Sequence, residues 1–397
     1  MKSQVHLQAV GVLSALGADM DSMRASLFSS VDPCTLTITQ AFSPDRSLPL
    51  GCLPASVELP SLAFAPLREQ SRNNALAWGA LQQIMPQVEQ ALVRYGADRV
   101  AVVVGTSTSG VLEGEAAARM LHQAGSFPDG YDYAIQEMGN VARFIARQLG
   151  VTGPAHVIST ACSSGAKALA SGARMLRAGM VDAVVAGGVD ALCSFTVAGF
   201  SALESVSTLR CNPLSAHRKG INLGEAAAFF LMGCEHGPVR LSGWGESQDA
   251  HHMSAPDPTG QGAIAAMRQA LQRAGISAAE VDYVNLHGTA TVHNDAMESL
   301  AVNTLLGEQL PVSSTKPLTG HALAAAGALE AAIAWQVLHD NPRGMLPPHW
   351  WDGEADCSLA KVNPVKAGQT LGRAARHVMS NSFAFGGSNA SLLFSAG

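Results

Sequence analysis

Ser159–Leu169 reads STACSSGAKAL, a strand-to-helix turn made almost wholly of small residues, and Ala166–Arg177 carries it on as an alanine-rich helix. Working outward, short apolar runs alternate with longer Ala/Leu-rich stretches. Val100–Gly105 (VAVVVG), Val181–Ala186, Ala227–Met232, Val281–Leu286 and Ala390–Phe394 read as buried strands. Asn74–Tyr95, Gly262–Ala274 and Ala324–Leu338 read as helices, so the alternation predicts an α/β fold whose sheets are covered by helices. A repeat runs through the pattern. Thr160-Ala161-Cys162 opens one small-residue helix and Thr319-Gly320-His321 opens another, each following at a distance a strand that ends in Gly-Thr (VVVGT at 102–106, NLHGT at 285–289). Either two copies of one α/β unit or a chance likeness between Ala-rich helices gives this pattern; two copies would put the seam near Cys234–Pro238 and the halves at 1–235 and 236–397.

Composition limits the function. Of 397 residues 47% are apolar and 14% charged, which excludes a disordered chain and implies a large core and a sizeable subunit interface. A net charge of −6 argues against nucleic acid as a partner. The seven cysteines (34, 52, 162, 193, 211, 234 and 357) are odd in number and lack CxxC pairs, which fits a reducing compartment. The N-terminal apolar run, Ala9–Leu16, is too short for a signal peptide, and no stretch reaches the ~20 apolar residues of a membrane span. A cytoplasmic protein is expected.

Cys162 lies where a tight turn would expose a thiol and a helix N-terminus would lower its pKa. Burial and inertness are the ordinary fate of the other six cysteines. His287 ends a strand and His321 starts a helix five residues after Lys316, each in a Gly/Thr-rich turn. One cysteine with two imidazole donors suits nucleophilic catalysis with a stabilised oxyanion. Asp295 and Glu298 open a helix, and the Gly-rich loop NSFAFGGSN (381–389) presents backbone N–H groups or merely joins two strands. His251-His252 with Asp249 and Asp257 lacks metal-ligand spacing, so no metal is expected, and no Gly-rich motif opens a helix for a nucleotide. Pro347–Trp351 reads as a turn with packed aromatics.

STACSSGA, HGTATVHND, SSTKPLTGH and SNSFAFGGSN, in this order and spacing, resemble the decarboxylating β-ketoacyl-[acyl-carrier-protein] synthases of the thiolase fold. GVLSALG (11–17), SRNNALAWGAL (71–81) and SQDAHHMSAPDPTG (247–260) also look like family segments, so the resemblance covers nearly the whole chain. It implies two duplicated halves in a layered αβαβα sandwich and a decarboxylative Claisen condensation in fatty-acid or polyketide (including aryl-polyene-type) biosynthesis. Carried over by position, Cys162 resembles the acyl-accepting nucleophile, and His287 and His321 the pair that supports malonyl decarboxylation. Lys316 resembles the lysine that positions the site, with Glu298 as its carboxylate partner. Thr289 and Thr291 resemble the contacts to the phosphopantetheine arm. Phe385 resembles the gate, its N–H and that of Cys162 forming the oxyanion hole. No dissociable cofactor is implied, because phosphopantetheine arrives on the carrier. The implied partners are an acyl carrier protein and a second subunit, either a copy of this chain or a homologous ketosynthase or chain-length factor.

Three departures stand out. Ala384 occupies a position usually Gly in the gate loop, His293 replaces a small or apolar residue, and RPFDxxRDG reads NPLSAHRKG (212–220). Asn294-Asp295 resembles the polyketide-type synthases. A rival reading is a chain-length-factor-like subunit that shapes another synthase's pocket; such proteins usually lack the cysteine. A thiolase would want a second C-terminal cysteine, which NSFAFGGSN lacks.

Overall fold

The computed structural model describes residues 4–397. The first part of the chain runs β1 (His6–Leu13), α1 (Met20–Leu27), β2 (Thr37–Thr39), β3 (Leu48–Leu50), α2 (Arg72–Gln82), α3 (Met85–Tyr95), β4 (Val100–Gly105), α4 (Val111–Ala124), α5 (Asn140–Leu149), β5 (Ala155–Ile158), α6 (Ser164–Arg177), β6 (Ala183–Asp190), α7 (Ser194–Ala202) and β7 (Ala226–Gly233). The second runs β8 (Val239–Gln248), α8 (Gln261–Ala274), β9 (Tyr283–Asn285), α9 (Val292–Leu306), β10 (Pro311–Ser313), α10 (Lys316–Thr319), α11 (Ala326–Leu338), β11 (Asn363–Pro364), β12 (His377–Ala384) and β13 (Ser388–Ala396). No helix among the described residues is long and apolar enough to cross a membrane.

The strand order β11-β10-β9-β12-β13-β8-β1-β7-β6-β4-β5 contains one arrangement twice. From the middle outward, β1-β7-β6-β4-β5 on one side matches β8-β13-β12-β9-β10 on the other. The pairings match too: β6/β7 and β12/β13 are antiparallel, β4/β6 and β9/β12 parallel, and β4/β5 and β9/β10 parallel. The two sides of this eleven-stranded sheet join where His6 and Leu7 of β1 pair with Arg240 and Val239 of β8.

Side-chain alternation builds the layers. Val100, Val102 and Val104 of β4 pack on α2, α3 and α5, while Ala101 and Val103 face α6. On the other sheet Val284, Met379 and Leu393 pack on α8 and α9, while Tyr283, Val378 and Leu392 face inward. The result is an αβαβα sandwich with α6 and α11 as its central layer. These two helices touch backbone to backbone: a Cβ on Gly165 would lie 2.8 Å from the Ala328 nitrogen, and one on Gly327 would lie 2.8 Å from that of Ala166. That contact brings the start of α6 beside the approach to α11, and with them the two repeated tripeptides.

Strand β4 occupies the run expected of it. The expected helix Asn74–Tyr95 is two helices, α2 and α3, because the chain breaks at Gln83-Ile84 and Pro86 opens the second.

Candidate functional site

Between β5 and α6 the chain turns sharply at Ala161, whose φ of +51° is rare for a residue with a Cβ. The turn delivers Cys162 to the floor of a cavity of about 310 Å³. Between α10 and α11 the chain turns again at Gly320 (φ +64°), and His321 pairs with Leu223 as an isolated β-bridge. His321 therefore precedes its helix instead of starting it. Its Nε2 lies 2.9 Å from Cys162 Sγ. His287, two residues beyond β9, completes the group: its ring centroid is 5.3 Å from that of His321, edge to face. One nitrogen from each ring and the Cys162 sulfur all lie within 4.8 Å of one another. Neither imidazole Nδ1 has a hydrogen-bond partner among the described residues, so no bond to Nδ1 locks either ring in one tautomer.

Burial sets the protonation states. It pushes the Cys162 thiol up to about 12, against a smaller downward pull from the Lys316 charge and the N–H groups of Phe385 and Cys162. This corrects the expectation of a low thiol pKa, because desolvation outweighs the helix start. Burial, aided by the positive charge of Lys316, holds His287 and His321 well below the usual histidine value. The resting group is a neutral thiol beside two neutral imidazoles. Nor are the other six cysteines all buried: Cys34, Cys234 and Cys357 are exposed.

Lys316 is 2% exposed, and its ammonium bonds Glu330 Oε1 at 2.5 Å. Glu298, the expected partner of Lys316, has a different task. Its oxygens accept the N–H groups of His287 at 2.8 Å and Gly288 at 2.7 Å, fixing the turn that carries His287. Burial pushes both carboxyls up to about 7. Glu330 escapes motif reading, although it is the one charged residue in α11, whose thirteen residues are all buried. Asp190 escapes it too. Ending β6, it accepts Thr106 and Thr108 hydroxyls and the N–H groups of Ser107, Thr108 and Ala324, tying the loop after β4 to the approach to α11. His349, within the supposed aromatic turn, accepts Ser314 N–H at Nδ1 and donates to the Pro213 carbonyl at Nε2, supporting the segment before Lys316.

Thr289, Thr291, His293 and Phe385 also line the cavity, and the two threonine hydroxyls are 2.9 Å apart. The Phe385 ring sits 5.5 Å from that of Phe200. Its loop is tied down by Gly386 N–H to the Met253 carbonyl and by Asp249 N–H to the Gly387 carbonyl. Asp249 also accepts Asn389 Nδ2, and Asp257 accepts the Thr259 hydroxyl, which occupies these carboxylates. Lys167 Nζ donates to Ser388 Oγ, which meets Ser163 Oγ at 3.0 Å, linking the loop to the turn after Cys162. Ala384 has φ −98° and ψ 155°, extended backbone open to any residue, so it carries no strain in this conformation.

Residues 71–236 match the family model described as beta-ketoacyl synthase, N-terminal domain, and residues 239–350 the C-terminal domain of the same family. A 3-oxoacyl-[acyl-carrier-protein] synthase 2 of Rhizobium meliloti (strain 1021) is 37% identical over 61% of this chain and 60% of its own length. Nodulation protein E of Rhizobium sp. (strain N33) is 30% identical over 99% of both chains. The first three synthases matched are covered over only 58–64% of their own length. Among solved structures, a chain of a ketosynthase in complex with its chain length factor from Xenorhabdus doucetiae superposes with a TM-score of 0.92. It is 43% identical, with 100% of this chain and 98% of that one covered.

Proposed function

The chain belongs to the β-ketoacyl synthase family, and from that premise we propose that it catalyses decarboxylative Claisen condensation between an acyl group on Cys162 and malonyl-acyl carrier protein. The observation that carries the reading is the contact of Cys162 Sγ with His321 Nε2 at 2.9 Å, with His287 beside it, on the floor of a cavity. In the first half-reaction the sulfur attacks the acyl thioester carbonyl while His321 Nε2 takes the thiol proton. The carrier's phosphopantetheine thiolate leaves and collects that proton. A buried neutral thiol needs this proton acceptor, because it ionises too weakly by itself.

Malonyl-carrier then enters past Thr289 and Thr291. Its thioester oxygen accepts hydrogen bonds from His287 and His321, the C–C bond to the carboxylate breaks, CO₂ departs, and the electron pair becomes an enolate. Neutral imidazoles suit this step, since they donate hydrogen bonds without having to remove a proton from carbon. The enolate carbon attacks the acyl-Cys162 carbonyl, whose oxygen turns to the N–H groups of Cys162 and Phe385. Collapse frees the β-ketoacyl carrier and expels the Cys162 thiolate, which takes up one proton from water to restore the neutral thiol. Lys316 and Glu298 act by positioning the histidines. The nucleophile thus comes from residues 1–235 and both imidazoles from 236–397, and the cycle calls on no metal or dissociable cofactor because the carrier brings its own phosphopantetheine. The absence of a CxxC pair and of any Cys–Cys bond among the seven cysteines supports a cytoplasmic setting.

The neighbour solved with its chain length factor favours a paired assembly, with this chain as the catalytic member because it retains the cysteine and both histidines. Strand β5 supports that reading. It lies at the end of the sheet with Ala155 and His156 exposed, so its free edge is available to a homologous subunit or a second copy. The test is intact-mass spectrometry after incubation with acyl carrier proteins bearing chains of different length. One acyl mass should appear and map to Cys162; acylation at another residue, or none with any chain, contradicts the proposal.

A further inference from the structure

At the far end of α6 from Cys162, three arginines converge with no acid to meet them. Arg177 is the last residue of α6, Arg273 lies in the last turn of α8, and Arg240 is the second residue of β8. With His377, Ser242 and Ser395 they line a cavity of about 220 Å³. Trp244 fixes two of them, the Arg177 and Arg273 guanidinium carbons lying 4.5 Å and 5.5 Å from its ring centroid. The hydroxyls are ordered as well: Ser395 Oγ is 2.7 Å from Ser242 Oγ and 2.8 Å from His377 Nδ1.

Among the described residues none of these three arginines forms an ion pair. The carboxylates on adjoining segments are already occupied, Glu246 by Arg174 and Asp282 by Arg373. The Nε atoms of Arg177 and Arg240 are buried without a hydrogen-bond partner. Helix C-termini account for part of this charge, since each presents roughly half a negative charge to a cation. Two such ends offset about one of the three positive charges. Arg240 and His377 stand on strands and have no such reason to be there. A buried guanidinium N–H without an acceptor is costly, and the two orphaned Nε–H groups stand on α6 and β8 beside an open volume, with Arg273, whose Nη1 donates to the Trp244 carbonyl, adding its charge at the rim; together they call for an acceptor of matching charge.

We propose that this cavity is a binding site for a phosphate-class oxyanion, either free or as the terminal group of a larger molecule. Guanidinium forks and hydroxyls approaching from several directions suit a multiply charged, multi-oxygen anion better than a single carboxylate. The fourteen residues of α6 separate it from Cys162 by about 21 Å, and no residue lines both this cavity and the one that holds Cys162, so a phosphopantetheine arm entering past Thr289 and Thr291 does not pass through it.

The test titrates the full chain with inorganic pyrophosphate and, separately, with ADP at constant ionic strength, following calorimetric binding and the thermal midpoint. Saturable binding is expected, weakened about tenfold or more in Arg240→Gln. Tighter ADP binding assigns the anion to a larger molecule, and equal or tighter pyrophosphate binding assigns it to the free ion. No saturable binding, or equal binding by wild type and Arg240→Gln, overturns the proposal. If Arg240→Gln fails to fold, amide exchange on wild type decides: slowing at residues 239–242 with pyrophosphate is expected, and no change there contradicts the site.

Discussion

The turn from β5 into α6 and the turn from α10 towards α11 hold equivalent places in the two halves, yet they carry different chemistry. Each reads Thr, a small residue at positive φ, then the functional side chain: Thr160-Ala161-Cys162 with Ala161 at +51°, and Thr319-Gly320-His321 with Gly320 at +64°. The conformation is shared and the residue that adopts it is not. A Cβ on Gly320 would sit 2.6 Å from the Leu223 carbonyl oxygen, so glycine is required there, whereas Ala161 bears a modest strain. A duplicated frame thus presents a thiol from one half and an imidazole from the other, at hydrogen-bonding distance. The loops beyond differ likewise. At the end of β6, Asp190 is locked by hydrogen bonds; after β12, Phe385 sits on a loop with positive-φ glycines, Gly386 and Gly387.

The largest effect is expected where the second half stores a buried charge. Glu330→Gln leaves the Lys316 ammonium without its carboxylate and should cost about 3–5 kcal/mol in denaturant unfolding. Glu298→Gln should cost less, because it loses hydrogen bonds to two amides but strands no cation. The reverse order would restore Glu298 as the partner of Lys316. Next come the imidazoles. His287→Ala or His321→Ala should slow CO₂ release from malonyl-carrier by about 10²–10³-fold, the loss typical of an oxyanion donor. Burial keeps both rings neutral below pH 6.5, so decarboxylation should stay level as pH falls through 6.5 and decline only further into acid. An inflection at 6.5 would count against buried neutral donors. The smallest effect compares the turns directly. Gly320→Ala should destabilise by about 1–3 kcal/mol, while Ala161→Gly should be neutral or stabilise by up to about 1 kcal/mol. A destabilising Ala161→Gly, or a stabilising Gly320→Ala, would break the equivalence.

Much of this was legible in sequence because the chemistry demands rare residues in small-residue turns. Cys162, His287 and His321 meet where their motifs imply, and β4 fills the run VAVVVG. Strand β8, VRLSGWGESQ, was not legible, and its glycines explain why. A Cβ on Gly243 or Gly245 would lie 2.0 Å or 1.8 Å from the Ala270 or Ala266 carbonyl oxygen of α8, so close helix packing removes the apolar residues that announce a strand. The two supporting acids were hidden for another reason. Glu330 and Asp190 lie in apolar elements whose partners come from distant segments, Lys316 for the first and residues 106–108 and 324 for the second. A lone acid in a wholly buried helix was the available signal for Glu330. The thiol's high pKa was illegible because it depends on burial, which no local motif reports.

The division of labour between the halves is tested most directly by Cys162→Ala, assayed separately for acyl loading by intact mass and for CO₂ release from malonyl-carrier. The account predicts that loading and condensation vanish while CO₂ release persists, because the imidazoles lie in the other half. A folded Cys162→Ala that still takes up the acyl group, or that loses CO₂ release along with loading, would contradict it.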